Sequence, residues 1–339
     1  MAVGAPELVR SPLWLPLEVL ETGTVRLMRL DEAAYRAAAF LDQRLLAGSL
    51  AQERCSLAAL RAAAARLPAR PQFIFHIGHV GSTLIARLLG EHPGVFALRE
   101  PALLRTLAAP GTPAAPVTDL DTLLALLGRS WRPGQQALVK ATSFVSELAG
   151  AILAASGAPP VLLVYAQPLA YISGILAGPN SRHEARQLQA ARRARLARRL
   201  GEDPAALAPR SEGEAIALSW LAEMTALAAA APQGRALWVD FDAFLDAPEA
   251  GLEAMFVALG HAVAPPQLGA LVRGPLMNRY SKALEHPYDA ALRRQLLAQA
   301  RAGERAEIAR GLEYLGRLAA RHPTVAAVMA RAGAPPARP

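Results

Sequence analysis

The chain has 339 residues, of which 53% are apolar and 19% charged, and it carries a net charge of +8. A chain this long and apolar builds a full core and is no disordered segment. Its single cysteine, Cys55, excludes an internal disulfide and a cysteine-based metal cluster. The positive balance points to an anionic partner without choosing between a nucleic acid and a small phosphorylated ligand.

The opening residues have no basic segment leading into an apolar run, so no secretory leader is expected and a reducing, cytoplasmic location is the default. Residues 1–70 read as an extension packed on the core. The turn Thr22-Gly23 joins two strand-like pieces. Ala- and Leu-rich periodicity then predicts two helices between about Asp31 and Arg66, ending at Leu67-Pro68. No motif in this part carries chemistry.

From Gln72 the pattern changes. Short apolar runs at Phe73–Ile77, Val95–Leu98, Ala137–Val139, Val161–Tyr165 and Ala236–Val239 read as strands. Helical segments separate them near Thr83–Gly90, Asp119–Gly128, Phe144–Ala155 and Glu212–Ala230. Short strands alternating with helices predict an α/β three-layer sandwich around a mostly parallel sheet, over residues 71–330. Between Leu148 and Ser181 no side chain is charged, yet glycines and prolines punctuate the stretch, so a buried core is expected there and no membrane span. Residues 182–199 hold seven arginines in a helix-forming context, either a solvated face or an electropositive rim over an anion site. Few aromatics and no recognition motif accompany them, so no nucleic-acid partner is expected. After Pro248 the chain reads as helical, and 331–339 as a disordered tail.

The strongest local signal is FIFHIGHVGSTLIARLL, residues 73–89. An apolar strand runs through Gly78, His79, Val80, Gly81, Ser82 and Thr83 into an apolar-periodic helix. Glycines in such a turn let consecutive N–H groups point inward, and the helix N-terminus adds positive potential, a combination that binds anions. The alternative is Ser82 as a plain helix N-cap. The residue after Gly81 is not lysine, so the loop is no Walker A motif, and nucleoside triphosphate hydrolysis is disfavoured. His76, inside the strand, reads as a packed, hydrogen-bonded core histidine and not a catalyst. Asp240 and Asp242 read as structural hydrogen-bonding groups, and no metal-ligand motif occurs.

The loop resembles the 5′-phosphosulfate loop of the sulfotransferases, with His79 where that family usually has lysine or arginine. The layout is most similar to the bacterial and tyrosylprotein-type members. The resemblance implies a P-loop-like α/β fold and 3′-phosphoadenosine 5′-phosphosulfate as the sulfate donor. It also implies a hydroxyl- or amine-bearing acceptor and no metal. Glu100, 21 residues beyond His79 in VFALREP, matches the catalytic base. Lys140, ending ALVK, matches the lysine beside the transferring group. VLLVYAQPLAYISGIL is similar to the 3′-phosphate segment. Ser173 fits its serine, but Tyr165 stands at its arginine. Arg279, Lys282 or an arginine of 182–199 is then expected to take that phosphate. Of 36 basic residues only Lys140 and Lys282 are lysines, and both fall beside these motifs. The acceptor's wall is expected from residues 103–118, 174–210 and the C-terminal helices. Two further readings are a small-molecule kinase with a degenerate loop and a non-catalytic nucleotide- or anion-binding module.

Overall fold

Hydrophobic runs that are buried on both faces make the centre of the molecule. The computed structural model describes every residue except 1–3, 43, 46–49, 66, 68–69, 110–116 and 334–339. An N-terminal antiparallel sheet holds β1 (Trp14–Val19), β2 (Thr24–Arg29) and β3 (Gln52–Ser56) in that order. The main sheet holds β4 (Gln72–His76), β5 (Val95–Arg99), β6 (Gln136–Lys140), β7 (Val161–Tyr165) and β8 (Ala236–Asp240). Its order is β5-β6-β4-β7-β8 and every pairing is parallel. The chain fills one side of β4 and then crosses to the other, which opens a crevice at the carboxyl ends of the central strands. Helices flank the sheet, so the expected α/β class holds.

Each of the five expected core strands falls within about one residue of its place, because β4, β5, β6 and β7 are buried almost end to end. The helix Glu212–Ala230 spans the expected limits, capped by the Ser211 side chain accepting from the Glu214 N–H. Trp220, on this helix, is fully buried and donates through Nε1 to the Ala166 carbonyl.

The two helices expected between Asp31 and Arg66 are present, but an unexpected strand lies between them. The structure has a helix at Glu32–Ala37, then β3, then a helix at Leu57–Ala64. The Gln52–Ser56 segment pairs with β2 instead of coiling, from Met28↔Gln52 to Thr24↔Ser56. Pairing along the open edge of β2 outweighs the favourable helix propensity of Gln, Glu and Arg. At the other end of the chain, residues 331–333 finish the helix Pro323–Gly333. The rest of the expected tail, 334–339, lies outside the described residues. No described helix is long and apolar enough to cross a membrane.

Candidate active site

The turn after β4 is built for close approach. Gly78 and Gly81 lie in the left-handed region, at φ 86° and 63°, and His79 joins them at 55°. Gly81, and not Ser82, is the N-cap of the helix Ser82–Gly90, so the simple serine cap is corrected. A Cβ on Gly81 would lie 1.9 Å from the Phe241 ring, which explains why only glycine fits there. Among the described residues, the N–H groups of His79, Val80, Gly81, Ser82 and Thr83 have no protein acceptor. Unbonded N–H groups gathered at a helix start are an arrangement able to take an anion.

His76 is buried and hydrogen-bonded, as expected. Its Nδ1 accepts the Gly78 N–H at 3.0 Å, which pins the start of the loop. Burial, with Lys140 and Lys282 beside it, pushes its pKa well below the usual imidazole range, so the ring is neutral at neutral pH. The His79 ring is engaged at both nitrogens by the helix Pro179–Leu200. Nε2 lies 3.2 Å from Glu184 Oε2, and Nδ1 lies 3.2 Å from Ser181 Oγ. The hydrogen bond from His79 holds the Glu184 carboxyl down to about 2.

Glu100 follows β5 directly, also in the left-handed region at φ 53°. Its N–H donates to the Lys140 carbonyl at 2.7 Å, tying it to the end of β6. The Lys140 ammonium pairs with Glu100 Oε1, and Thr142 Oγ1 donates to Oε2 at 3.4 Å. Lys140 is 1% exposed, and burial lowers its pKa against the opposing pull of Glu100. Two of the three described non-glycine residues with positive φ are thus His79 and Glu100. Such strain of about 1–3 kcal/mol each persists where the surroundings enforce it, commonly at functional sites.

Two cavities meet here. The first, of about 270 Å³, lies over the phosphate loop and is closed by Phe241, Tyr280, Tyr288 and Arg293. The second, of about 890 Å³, runs along Phe40, Arg105, Phe144 and Leu188. His76, His79, Glu100 and Lys282 line both. Lys282 and Arg279 belong to a strap after the last sheet element, closed by Tyr280 N–H to the His286 carbonyl and Tyr288 N–H to the Asn278 carbonyl. Buried Arg87, on the phosphate-loop helix, donates through Nε to the Ser281 carbonyl at 2.9 Å and holds the strap in place.

The structure therefore brings together Gly78, His79, Val80, Gly81, Ser82, Thr83, Glu100, Lys140, Arg279 and Lys282 around the crevice. Ser173 is placed elsewhere: it is fully buried and donates to the Leu169 carbonyl at 2.6 Å inside its own helix. Tyr165 lines neither cavity and packs edge-on against Trp238. The arginine-rich helix is mostly braced rather than free. Arg182 pairs with Glu212 and Glu304, Arg192 with the fully buried Glu223, and Arg199 with Glu147. Asp240 caps the helix Phe241–Asp246, and Asp242 takes a bidentate pair with Arg293, as structural roles predict.

The N-terminal extension contributes to the second cavity, which its sequence pattern did not announce. Phe40, Asp42 and Arg44 form part of the second cavity. Buried Arg99 draws them in by donating to the Tyr35, Arg36 and Ala38 carbonyls, capping the helix Glu32–Ala37. The Leu41 N–H then bonds the Arg99 carbonyl.

No protein-family profile matches the chain, and no curated protein matches it by sequence. Solved structures do. The sulfotransferase domain of the curacin biosynthetic pathway shares 13% identity over 73% of this chain and 98% of that one, at a TM-score of 0.39. A sulfotransferase from Alicyclobacillus acidocaldarius shares 14% over 69% and 95%, at 0.37. The sulfotransferase domain of the Synechococcus PCC 7002 olefin synthase shares 16% over 68% and 86%, at 0.35. Likeness at this level assigns no activity to the chain.

Proposed function

We propose that the protein is a sulfotransferase that moves a sulfuryl group from 3′-phosphoadenosine 5′-phosphosulfate to a hydroxyl or amine of a small-molecule or peptide acceptor. One observation carries the reading: an anion cradle and a second cavity meet at a wall bearing Glu100, with Lys140 bonded behind it. A group-transfer enzyme needs two substrate spaces with a base and a cation where they join.

The donor's phosphosulfate fits the unbonded N–H groups of residues 79–83, with the Ser82 and Thr83 hydroxyls beside them. The nucleoside fits the apolar part of the first cavity. Arg279 takes the 3′-phosphate in place of the arginine that Tyr165 replaces. The side chain of His79 is already held by Glu184 and Ser181, so its contribution to the loop is its backbone N–H. The acceptor oxygen attacks sulfur in line and the sulfur–oxygen bond to the phosphate breaks. The acceptor proton passes to Glu100. Protonation of Glu100 releases the Lys140 ammonium toward the departing phosphate oxygen, where a preorganised donor contributes roughly 3–4 kcal/mol to lowering the barrier.

The test is thermal unfolding with adenosine 3′,5′-bisphosphate, run beside ATP with magnesium and 5′-AMP. Selective stabilisation by the bisphosphate is expected, about 2.7 kcal/mol at a hundred times its dissociation constant. A shift only with magnesium and ATP would favour a kinase. No shift with any nucleotide overturns the enzyme reading in favour of a non-catalytic module with this fold.

A further inference from the structure

Charge pairing around the first cavity singles out one side chain. Besides His76, which burial keeps neutral, five basic residues line that cavity: His79, Lys140, Arg279, Lys282 and Arg293. Three are already matched by carboxylates: His79 by Glu184, Lys140 by Glu100, and Arg293 by Asp242. Among the described residues, Arg279 and Lys282 have no carboxylate within salt-bridge reach. Of these two, only Lys282 also lines the second cavity. Its ammonium and that of Lys140 each lie 5.7 Å from the Phe40 ring centre, so the chain's two lysines converge on the same aromatic floor.

We propose that Lys282 is a catalytic residue for the transfer itself: its ammonium contacts the sulfonate oxygens as the group passes between the cavities. This rests on the sulfuryl-transfer reading above, and it removes Lys282 from the candidates for the 3′-phosphate. The step stays balanced. The acceptor oxygen forms its bond to sulfur and its proton goes to Glu100. The electron pair of the broken sulfur–oxygen bond stays on the phosphate, and Lys282 contributes charge without exchanging a proton. The argument turns on net charge. A resting Lys140–Glu100 pair presents almost none to an incoming anion, so the unmatched cation must come from elsewhere. Lysine suits the role because its ammonium is a compact point charge on a flexible stem. The strap sets its position through the Arg87 contact to the Ser281 carbonyl, which makes Arg87 a positioning residue.

The experiment compares wild type, Lys282→Met and Lys282→Arg in two measurements that need no known acceptor. Calorimetric titration gives the affinities for 3′-phosphoadenosine 5′-phosphosulfate and for adenosine 3′,5′-bisphosphate. Release of labelled sulfate from the labelled donor gives the rate of slow transfer to water. Lys282→Met should lower the affinity for the sulfated nucleotide about tenfold more than that for the bisphosphate. It should also lower the release rate at saturating donor by roughly 10²-fold, the range for losing one preorganised donor. Lys282→Arg should recover part of both. Equal loss of affinity for the two nucleotides, with the release rate at saturation kept, would return Lys282 to nucleotide binding and overturn the proposal. A release rate within threefold of wild type would overturn it as well. If wild type binds neither nucleotide, the sulfotransferase reading itself has failed.

Discussion

Gly81→Ala should damage both the fold and the anion cradle, and its size follows from two separate terms. The native φ of 63° is left-handed, which adds about 1–2 kcal/mol for a residue with a Cβ. The new methyl would also lie 1.9 Å from Phe241 Cε2 and 2.0 Å from Cζ, so the ring must move. Phe241 is 4% exposed, packs on Phe244, and lies beneath the Arg293 guanidinium that Asp242 holds in a bidentate pair. Overpacking in such a place adds about 1–3 kcal/mol. The sum is about 2–5 kcal/mol, read by urea unfolding. Phe241→Leu makes the two terms separable, because it removes the obstructing ring and leaves φ untouched. The double variant should be less destabilised than the two single losses added together, with a coupling of about 1–2 kcal/mol. Strict additivity, or a Gly81→Ala loss below about 0.5 kcal/mol, would refute the packing of this loop on Phe241.

Glu100→Gln should keep bisphosphate stabilisation and strongly depress turnover, and normal turnover would refute its role as base. The same change leaves the buried Lys140 ammonium without its carboxylate, a loss of about 3–5 kcal/mol that Lys140→Met/Glu100→Gln should largely restore. Unfolding of the two singles and the double tests this. Glu184 titrates low in the folded state because His79 bonds it, with Lys282 and Arg192 adding to the pull. Between its folded and unfolded pKa values the unfolded chain binds more protons, so stability rises with pH there. This contribution is fully present above pH about 4.5 and is lost as pH falls toward 2. The acid unfolding curve of Glu184→Gln should therefore converge on wild type at the low end of that range, and parallel curves would contradict the assignment.

The main sheet was legible because its strands are buried on both faces and read as unbroken apolar runs bounded by breakers. The glycine turn after β4 was legible for the same reason in reverse: glycines sit where apolar periodicity switches from strand to helix. What escaped is what depends on distant pairing. β3 forms from a polar segment only because β2 offers it an edge. Phe40 reaches the site only because Arg99, about sixty residues on, captures the carbonyls before it. Ser173 matched a motif by spacing, but its hydroxyl turns back onto its own helix. His76, between Phe75 and Ile77, reads as a packed, hydrogen-bonded core histidine, and the structure buries it and bonds its Nδ1. The local signal that distinguishes it is its place two residues before a left-handed Gly78, where a side-chain nitrogen can accept the glycine N–H.

The placement of strain and charge argues that this crevice is a working site and not a by-product of packing. A buried lysine–carboxylate pair is a weak source of stability, since well-packed apolar residues of similar volume commonly do as well or better. The fold nevertheless holds Lys140 and Glu100 at the carboxyl end of the central strands and keeps Glu100 in a disfavoured backbone conformation. His79 carries the same disfavoured geometry on the facing loop. Stability alone selects against each of these choices at positions where an apolar or glycine residue would relieve them. Their coincidence at the wall between two cavities is what the proposed transfer would need: a carboxylate and an ammonium within reach of one anionic group.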